Sequence, residues 1–232
     1  FEDKKLISQM HKAVAIMQFK IEGQIIKKSP EYNMEERLLL DKIDFNKKKI
    51  IINKKEYELL DENFPTINKK NPYELTEEEE EILEKIKVDF MKSEKLQKHV
   101  KFLFLKGGMY LKYNSNLLYH ACIPMEENEV FRMVKILDKH YYGKNLLDKI
   151  DCLARENYFS NSNKKEEFGK DFFWYLWCHK DSPLFGKDKM TTFERYFIKD
   201  KNTHLENEDP YFILRDKEVI CDKILENFGL DP

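Results

Sequence analysis

Two stretches of this sequence carry residue types and spacings that could do chemistry. The first is LLYHACIP, residues 117–124, where a lone histidine, His120, stands at the end of an apolar run that reads as a buried strand entering a loop. Strand ends are where α/β sheets present ligands to a site. A neutral imidazole there can bind a divalent metal once carboxylates or further histidines converge on it. A hydrogen-bonded structural histidine fits the same pattern, so the spacing leaves both roles open. The second is SPLFGKDKMTTFERYF, residues 182–197, in which Lys187, Lys189 and Arg195 are interleaved with Phe185, Phe193 and Tyr196. Thr191 and Glu194 match a capping box, which predicts a helix N-terminus beside the lysines. Free backbone N–H groups flanked by cations bind anions, and phosphate is the natural ligand. The competing reading is a solvated basic turn, partly neutralised by Asp181, Asp188 and Glu194. A single glycine at the centre of the run excludes a Walker loop.

Nothing else in the chain has a recognisable chemical pattern. His11, His99, His140, His179 and His204 form no HxH, HExxH or His/Asp pair, and no GxSxG, GxGxxG or zinc spacing occurs. Cys122, Cys152, Cys178 and Cys221 lie far apart, which predicts free thiols and a reducing cytoplasm rather than a disulfide framework. The 41 Lys and Arg against 43 Asp and Glu leave a net charge of −2. That balance argues against a general nucleic-acid binder, which needs a basic excess to release counterions. No apolar run is long enough for a membrane span, and the start, FEDKKLISQM, has no apolar signal-peptide core. The chain opens inside a predicted helix and stops after Gly229, so it is expected to be an internal piece of a longer polypeptide.

These residues must be positioned by a helix-rich scaffold. Leu6, Ile7, Met10, Val14, Met17, Ile21 and Ile25 recur at spacings of three and four, predicting a helix over 3–26 that Ser29-Pro30 stops. A shorter helix is expected over 34–42. Lys49–Ile52 and Tyr57–Leu60 flank a polar turn and read as a hairpin. Thr76 and Glu79 form a capping box that opens a helix, and the acidic run Glu77–Glu81 suits its positive end better than it suits a cation site. A second helix over 93–105 ends at Gly107-Gly108. Met109–Tyr113 and Leu117–Ile123, separated by Asn114-Ser115-Asn116, predict a tight hairpin closed by Pro124. Helices follow over 145–159, 166–178, 191–198 and 215–228. The segment 166–178, with Phe168, Phe172, Phe173, Tyr175, Leu176 and Trp177, is too apolar for an isolated surface helix.

Longer stretches carry a resemblance. GGMYLKYNSNLLYHACIPM, GKNLLDKI, SPLFGKDKMTTFERYFIKDKNTH, ILENFGLDP and, near the start, HKAVAIMQFKIEGQIIKKSPEYNMEERLLLDKID are similar to the bacterial class III fructose-1,6-bisphosphatases across essentially the whole chain. Those enzymes belong to the calcineurin-like metallophosphoesterases, so the resemblance implies an α/β fold in which this chain, a helix-rich α+β fragment, is part of a sandwich of sheets flanked by helices. It also implies a two-metal site, with manganese or magnesium, that activates a water and clamps the phosphate. The family's ligands come from an Asp/His pair, GDxxDRG, GNHD, a strand-end histidine and a later GHT-type segment. GDxxDRG, GNHD and the GHT-type segment are absent here, and only the strand-end histidine has a counterpart, His120. The resemblance thus implies one metal ligand, an incomplete metal site and no further catalytic residue.

The expected division is residues 1–105 as a helical region with a small hairpin insertion and 106–232 as part of the catalytic domain with helical insertions. The expected function is hydrolysis of fructose 1,6-bisphosphate to fructose 6-phosphate and phosphate in gluconeogenesis, with the isolated chain inactive. A substrate with two phosphates needs a cationic pocket away from the metals, and Lys187, Lys189 and Arg195 are the candidates for it. Expected partners are the sugar bisphosphate and, as an open question, further copies of the chain; nucleic acid and membrane are not expected. The alternatives are a phosphatase of the same superfamily with another substrate, and a non-catalytic interaction module.

Overall fold

In a computed structural model the chain is described over residues 3–159 and 163–232, with side chains described for all of these but 163–170. It forms two compact units. The first comprises residues 1–94 together with Thr191–Leu205, and the second comprises Lys95–Met190 together with Glu206–Pro232. The fold is helix-rich, with eight α-helices and three small antiparallel sheets among the described residues. No helix among them is long and apolar enough to cross a membrane.

The first unit is built on α1, Lys4–Lys28. The Asp3 carboxylate accepts hydrogen bonds from the amides of Lys5 and Leu6 at 2.9 and 3.2 Å, and Lys27 and Lys28 face the negative end, so both termini suit the helix dipole. A helix does not form over 34–42. Two 3-10 turns, Glu35–Arg37 and Leu40–Lys42, stand there instead. The backbone leaves helical angles at Leu38, with ψ at 76°, and Leu39 and Leu40 turn into the core. Strands β1 (Ile43–Asp44), β2 (Lys49–Ile52) and β3 (Lys55–Glu58) pair in that order. The predicted hairpin is therefore β2–β3, with a tighter turn than expected: only Asn53 and Lys54 connect the strands, both at positive φ. The strand β1 had no sequence signal of its own. Helix α2, Glu77–Lys92, opens on the predicted capping box, with Thr76 and Glu79 capping each other reciprocally.

Residues 191–205 return to this unit and close its core. Phe193, Phe197 and Ile198 pack with Ala15, Ile16, Phe19, Ile50 and Phe64. The aromatic rings meet edge to face, Phe19 with Phe193 at 5.3 Å and Phe64 with Phe197 at 5.2 Å. The backbone of Leu60 donates to Phe197 O at 2.9 Å, and that of Lys199 donates to Glu58 O at 3.2 Å. Gly23 permits one close approach: a Cβ there would lie 2.0 Å from the Tyr73 ring.

The returning segment is fixed by an ion pair. Arg37 donates to Glu194 through both terminal nitrogens, at 2.5 and 3.0 Å, and Glu194 is buried. The fork geometry matches the carboxylate. Replacing Glu194 with Ala leaves a largely desolvated guanidinium without its main partner, so a loss of about 3–5 kcal/mol is expected in urea unfolding. The double change Arg37→Met, Glu194→Leu should cost much less than that single change. A cost below about 1 kcal/mol for Glu194→Ala, the range of exposed pairs, would show that the pair does not hold the segment.

The second unit contains α3 (Glu94–Lys106), β4 (Tyr110–Tyr113), β5 (Asn116–Tyr119), β6 (Val134–Ile136), β7 (Lys139–Tyr141), α4 (Gly143–Phe159) and α5 (Asn163–Cys178). Its core lies on the apolar face of α4, where Leu146, Leu147, Ile150 and Leu153 are buried. Phe172, Tyr175 and Leu176 of α5 are buried with them, whereas Phe173 and Trp177 are exposed; Phe168 lies outside the described side chains. The helix expected over 215–228 is α8, Glu218–Asn227, which starts three residues later and which Gly229 ends at φ 68°; a short α7, Tyr211–Leu214, precedes it and was not expected. The hairpin β6–β7 went unpredicted, since its strands are only three residues each, too short for the Val-Lys-Ile alternation of β6 to stand out.

The helix α6, Thr192–Phe197, belongs to the first unit and forms without the predicted capping box. The Thr191 hydroxyl donates to His204 O at 3.1 Å, and Glu194 is committed to Arg37. Tertiary partners have outcompeted the local cap. A six-residue helix with this start offers no anion-binding terminus.

Candidate functional site

The strand carrying His120 is shorter and more exposed than the apolar run suggests. Register pairs Tyr110 with Tyr119, Leu111 with Leu118, Lys112 with Leu117 and Tyr113 with Asn116. Alternation then gives the hairpin two faces. On the inward face Tyr110 donates to Asp148 Oδ1 at 2.9 Å, Lys112 donates to Phe228 O at 2.9 Å, and the Tyr119 and Tyr211 hydroxyls share a 2.6 Å hydrogen bond. On the outward face Leu111, Tyr113 and Leu118 are exposed. The expected strand to Ile123 breaks because Ala121 adopts φ 54°, which ends pairing after Tyr119 and turns the chain inward. Cys122, Ile123 and Met125 are then buried, and the Cys122 amide donates to Pro183 O at 3.1 Å.

His120 itself is exposed at the point where the strand ends. It lines a cavity of about 450 Å³ with Leu103, Met109, Ile150, Ala154, Phe173 and Trp177 among its walls. Helix α3 is held there by Phe104, which stacks on Tyr158 at 4.1 Å and meets Phe173 edge-on at 6.0 Å. The polar wall of the cavity is the pair Asp151–Arg155, 2.7 Å apart and one helical turn from each other on α4. Arg155 also donates to the carbonyls of Phe104 and Gly107, which ties α3 to α4. Sequence reasoning missed this pair, although acid and base four residues apart on a helix is a readable signal.

The other candidate residues fall in different places. Lys187 and Lys189 belong to the second unit and Arg195 to the first. Lys187 is paired with Glu206 at 2.7 Å, and Asp188 accepts from the amide and side-chain nitrogens of Asn207 at 2.9 and 2.7 Å. Arg195 is exposed and donates to Thr191 Oγ1 at 3.0 Å and to His204 O at 3.4 Å.

Among the described residues no group of three or more His, Cys, Asp or Glu side chains could hold a metal ion. The carboxylate that shares a cavity with His120, Asp151, is already engaged by Arg155. The donor set among the described residues therefore does not fit a metal centre on its own, and no catalytic step is derived through one. Nor does the Cys122 thiol, just past the end of β5, offer a nucleophile in its place. Cys122 is buried, and that burial, with the nearby Asp209 charge, pushes its pKa up to about 12.

Comparison with known proteins bears on these residues as a set. The sequence profile of the Firmicute fructose-1,6-bisphosphatases matches residues 1–232. A Clostridium beijerinckii protein named fructose-1,6-bisphosphatase class 3 1 is 57% identical over 225 residues, which is 97% of this chain and 34% of that protein. A Clostridium botulinum fructose-1,6-bisphosphatase class 3 is 55% identical over 230 residues, or 99% of this chain and 34% of that protein. No solved structure matches. The chain spans about a third of the length of these relatives. With its whole length matched by one profile, it belongs to the Firmicute fructose-1,6-bisphosphatase family.

Proposed function

We propose that this chain contributes one part of a metal-dependent sugar bisphosphatase that hydrolyses fructose 1,6-bisphosphate to fructose 6-phosphate and phosphate, a gluconeogenic reaction of the cytoplasm. The observation that carries this is the family match along all 232 residues, alongside relatives named for that activity. Residues 106–232 are assigned to the catalytic domain. His120 is assigned as one ligand of a manganese or magnesium site whose other ligands lie outside the chain. When bound, the metal would supply a nucleophilic water and charge stabilisation at the phosphate. Exposure of His120 at a strand end, beside a cavity, leaves its ring open to such partners.

The direct test is a chimera in which residues 1–232 replace the matching 225 residues of the Clostridium beijerinckii relative. It should hydrolyse fructose 1,6-bisphosphate with manganese in preference to a panel of other phosphomonoesters, while the 232-residue chain alone is inactive. A chimera that prefers another phosphorylated compound would transfer the assignment to that substrate. Equal activity from the chain alone would contradict the incomplete site.

Lys187 and Lys189, both in the second unit, are proposed to hold the phosphate that is not cleaved; Arg195 belongs to the first unit and is not assigned to that pocket. In the chimera, Lys187→Ala and Lys189→Ala should each raise KM for the bisphosphate by about tenfold, the loss of one charge-assisted contact, with kcat little changed. Glu206→Gln is the control, because it releases Lys187 without removing the cation. Unchanged KM in both alanine variants would remove the assignment.

A further inference from the structure

The second unit leaves an apolar surface uncovered around His120. Leu111 and Leu118, directly opposed on the outward face of β4–β5, are 57% and 54% exposed. At the open end of the hairpin, Met109 just before β4 and His120 just after β5 both lie at the cavity. Beyond them Leu103 and Trp177, which line the same cavity, are 63% and 57% exposed, so the apolar surface continues from hairpin to cavity rim. Soluble proteins seldom leave so many large apolar side chains contiguous in water. Among the described residues β4 and β5 also pair only with each other, and a two-stranded sheet is marginal by itself.

We propose that this outward face is an internal interface, covered in a full-length family protein by polypeptide lying outside residues 1–232. The inference rests on the reading that the chain is part of a longer enzyme. Its specific support is that the relatives are about three times as long, so ample chain exists to cover the face. The chemistry required of the covering segment is set by the face. It must present apolar side chains to Leu111 and Leu118 and fill the cavity wall, and it can add a strand to the open hairpin edge. Its arrival would seal His120 from solvent on the hairpin side, so the ring would meet whatever polar groups that segment brings.

Leu118→Cys, placed in both the 232-residue chain and the chimera, reports on this directly through maleimide labelling read by peptide mass spectrometry. The introduced thiol should label at least about tenfold more slowly in the chimera than in the chain, as a buried site opening only transiently would. Hydrogen exchange of the amides of residues 110–119 without any substitution gives a second reading, with protection expected in the chimera. Equal labelling and equal exchange in the two proteins would overturn the interface. Protection that appears only as the chain self-associates, in step with its concentration, would assign the face to a second copy and likewise overturn it. Neither readout depends on metal or turnover. An inactive chimera with a protected hairpin would count against the bisphosphatase reading alone.

Discussion

Replacing Glu79 with Ala should remove about 3–5 kcal/mol of stability from the first unit, a large fraction of what a domain has to lose. Lys20 lies on the buried face of α1, fully enclosed, and donates to Glu79 Oε2 at 2.7 Å and to Thr66 O at 2.6 Å. Glu79 is itself buried, and the same oxygen accepts the Thr76 amide at 3.0 Å. One carboxylate therefore completes the capping box of α2 and neutralises a cation inside the core. Truncation would orphan the ammonium and uncap the helix together. Lys20→Met with Glu79→Leu, which removes both charges, should be far milder than Glu79→Ala, because the attraction and the desolvation cost disappear together. Urea unfolding of the three proteins measures this, and a double variant as unstable as the single one would contradict it.

The same pair gives a pH dependence with a definite sign. Burial alone would raise the Glu79 pKa, but hydrogen bonds from Lys20, Thr66 and the Thr76 backbone, with the Lys20 charge, outweigh it and hold the carboxyl below its ordinary 4.5. A folded-state pKa below the unfolded one means that the unfolded chain binds the proton more readily. The contribution is therefore fully present above pH 4.5 and is lost as pH falls through the lower folded value. Glu79→Gln should flatten that part of the acid limb.

The scaffold was legible where local chemistry and tertiary packing agreed. Helix α1, the Thr76 cap and the Gly107-Gly108 stop each appear where periodicity and capping place them, but of the α1 stripe Leu6, Ile7, Met10 and Val14 are exposed, and Ala15, Ile16, Phe19 and Ile26 are buried beside Met17 instead. The Thr191–Glu194 pattern is chemically the same signal as Thr76–Glu79, yet only the second forms a capping box. What separates them is far away in sequence: Arg37, 157 residues earlier, claims Glu194. Nothing local marks Lys20 as buried, because its partner lies 59 residues on. No composition shift marks the return of residues 191–205 to the first unit.

The candidate site was legible in part for a related reason. LLYHACIP was rightly singled out as a strand end, but as a continuous apolar run it gave no warning of the turn at Ala121. The turn leaves His120 exposed and buries the residues after it. The cavity beside it is assembled from α3, α4 and α5, whose walls no short motif encodes.

His120→Ala in the chimera carries the largest functional consequence. As the proposed metal ligand, His120 would take several kcal/mol of metal-ion stabilisation of the developing charge with it, so a fall in kcat on the order of 100-fold or more is expected. Metal affinity should fall with it, since a ligand has gone rather than a contact to substrate. Stability should change little, because the ring is exposed and its removal opens no core cavity. An activity loss without a metal loss would point to a substrate contact instead.

The most direct test of the central claim is therefore the metal content of the purified chimera, measured by mass spectrometry after dialysis against a limiting manganese concentration, with and without His120→Ala. The account predicts clear depletion of manganese in the variant while its far-ultraviolet circular dichroism and unfolding midpoint stay the same. Equal metal content in the two proteins would contradict it.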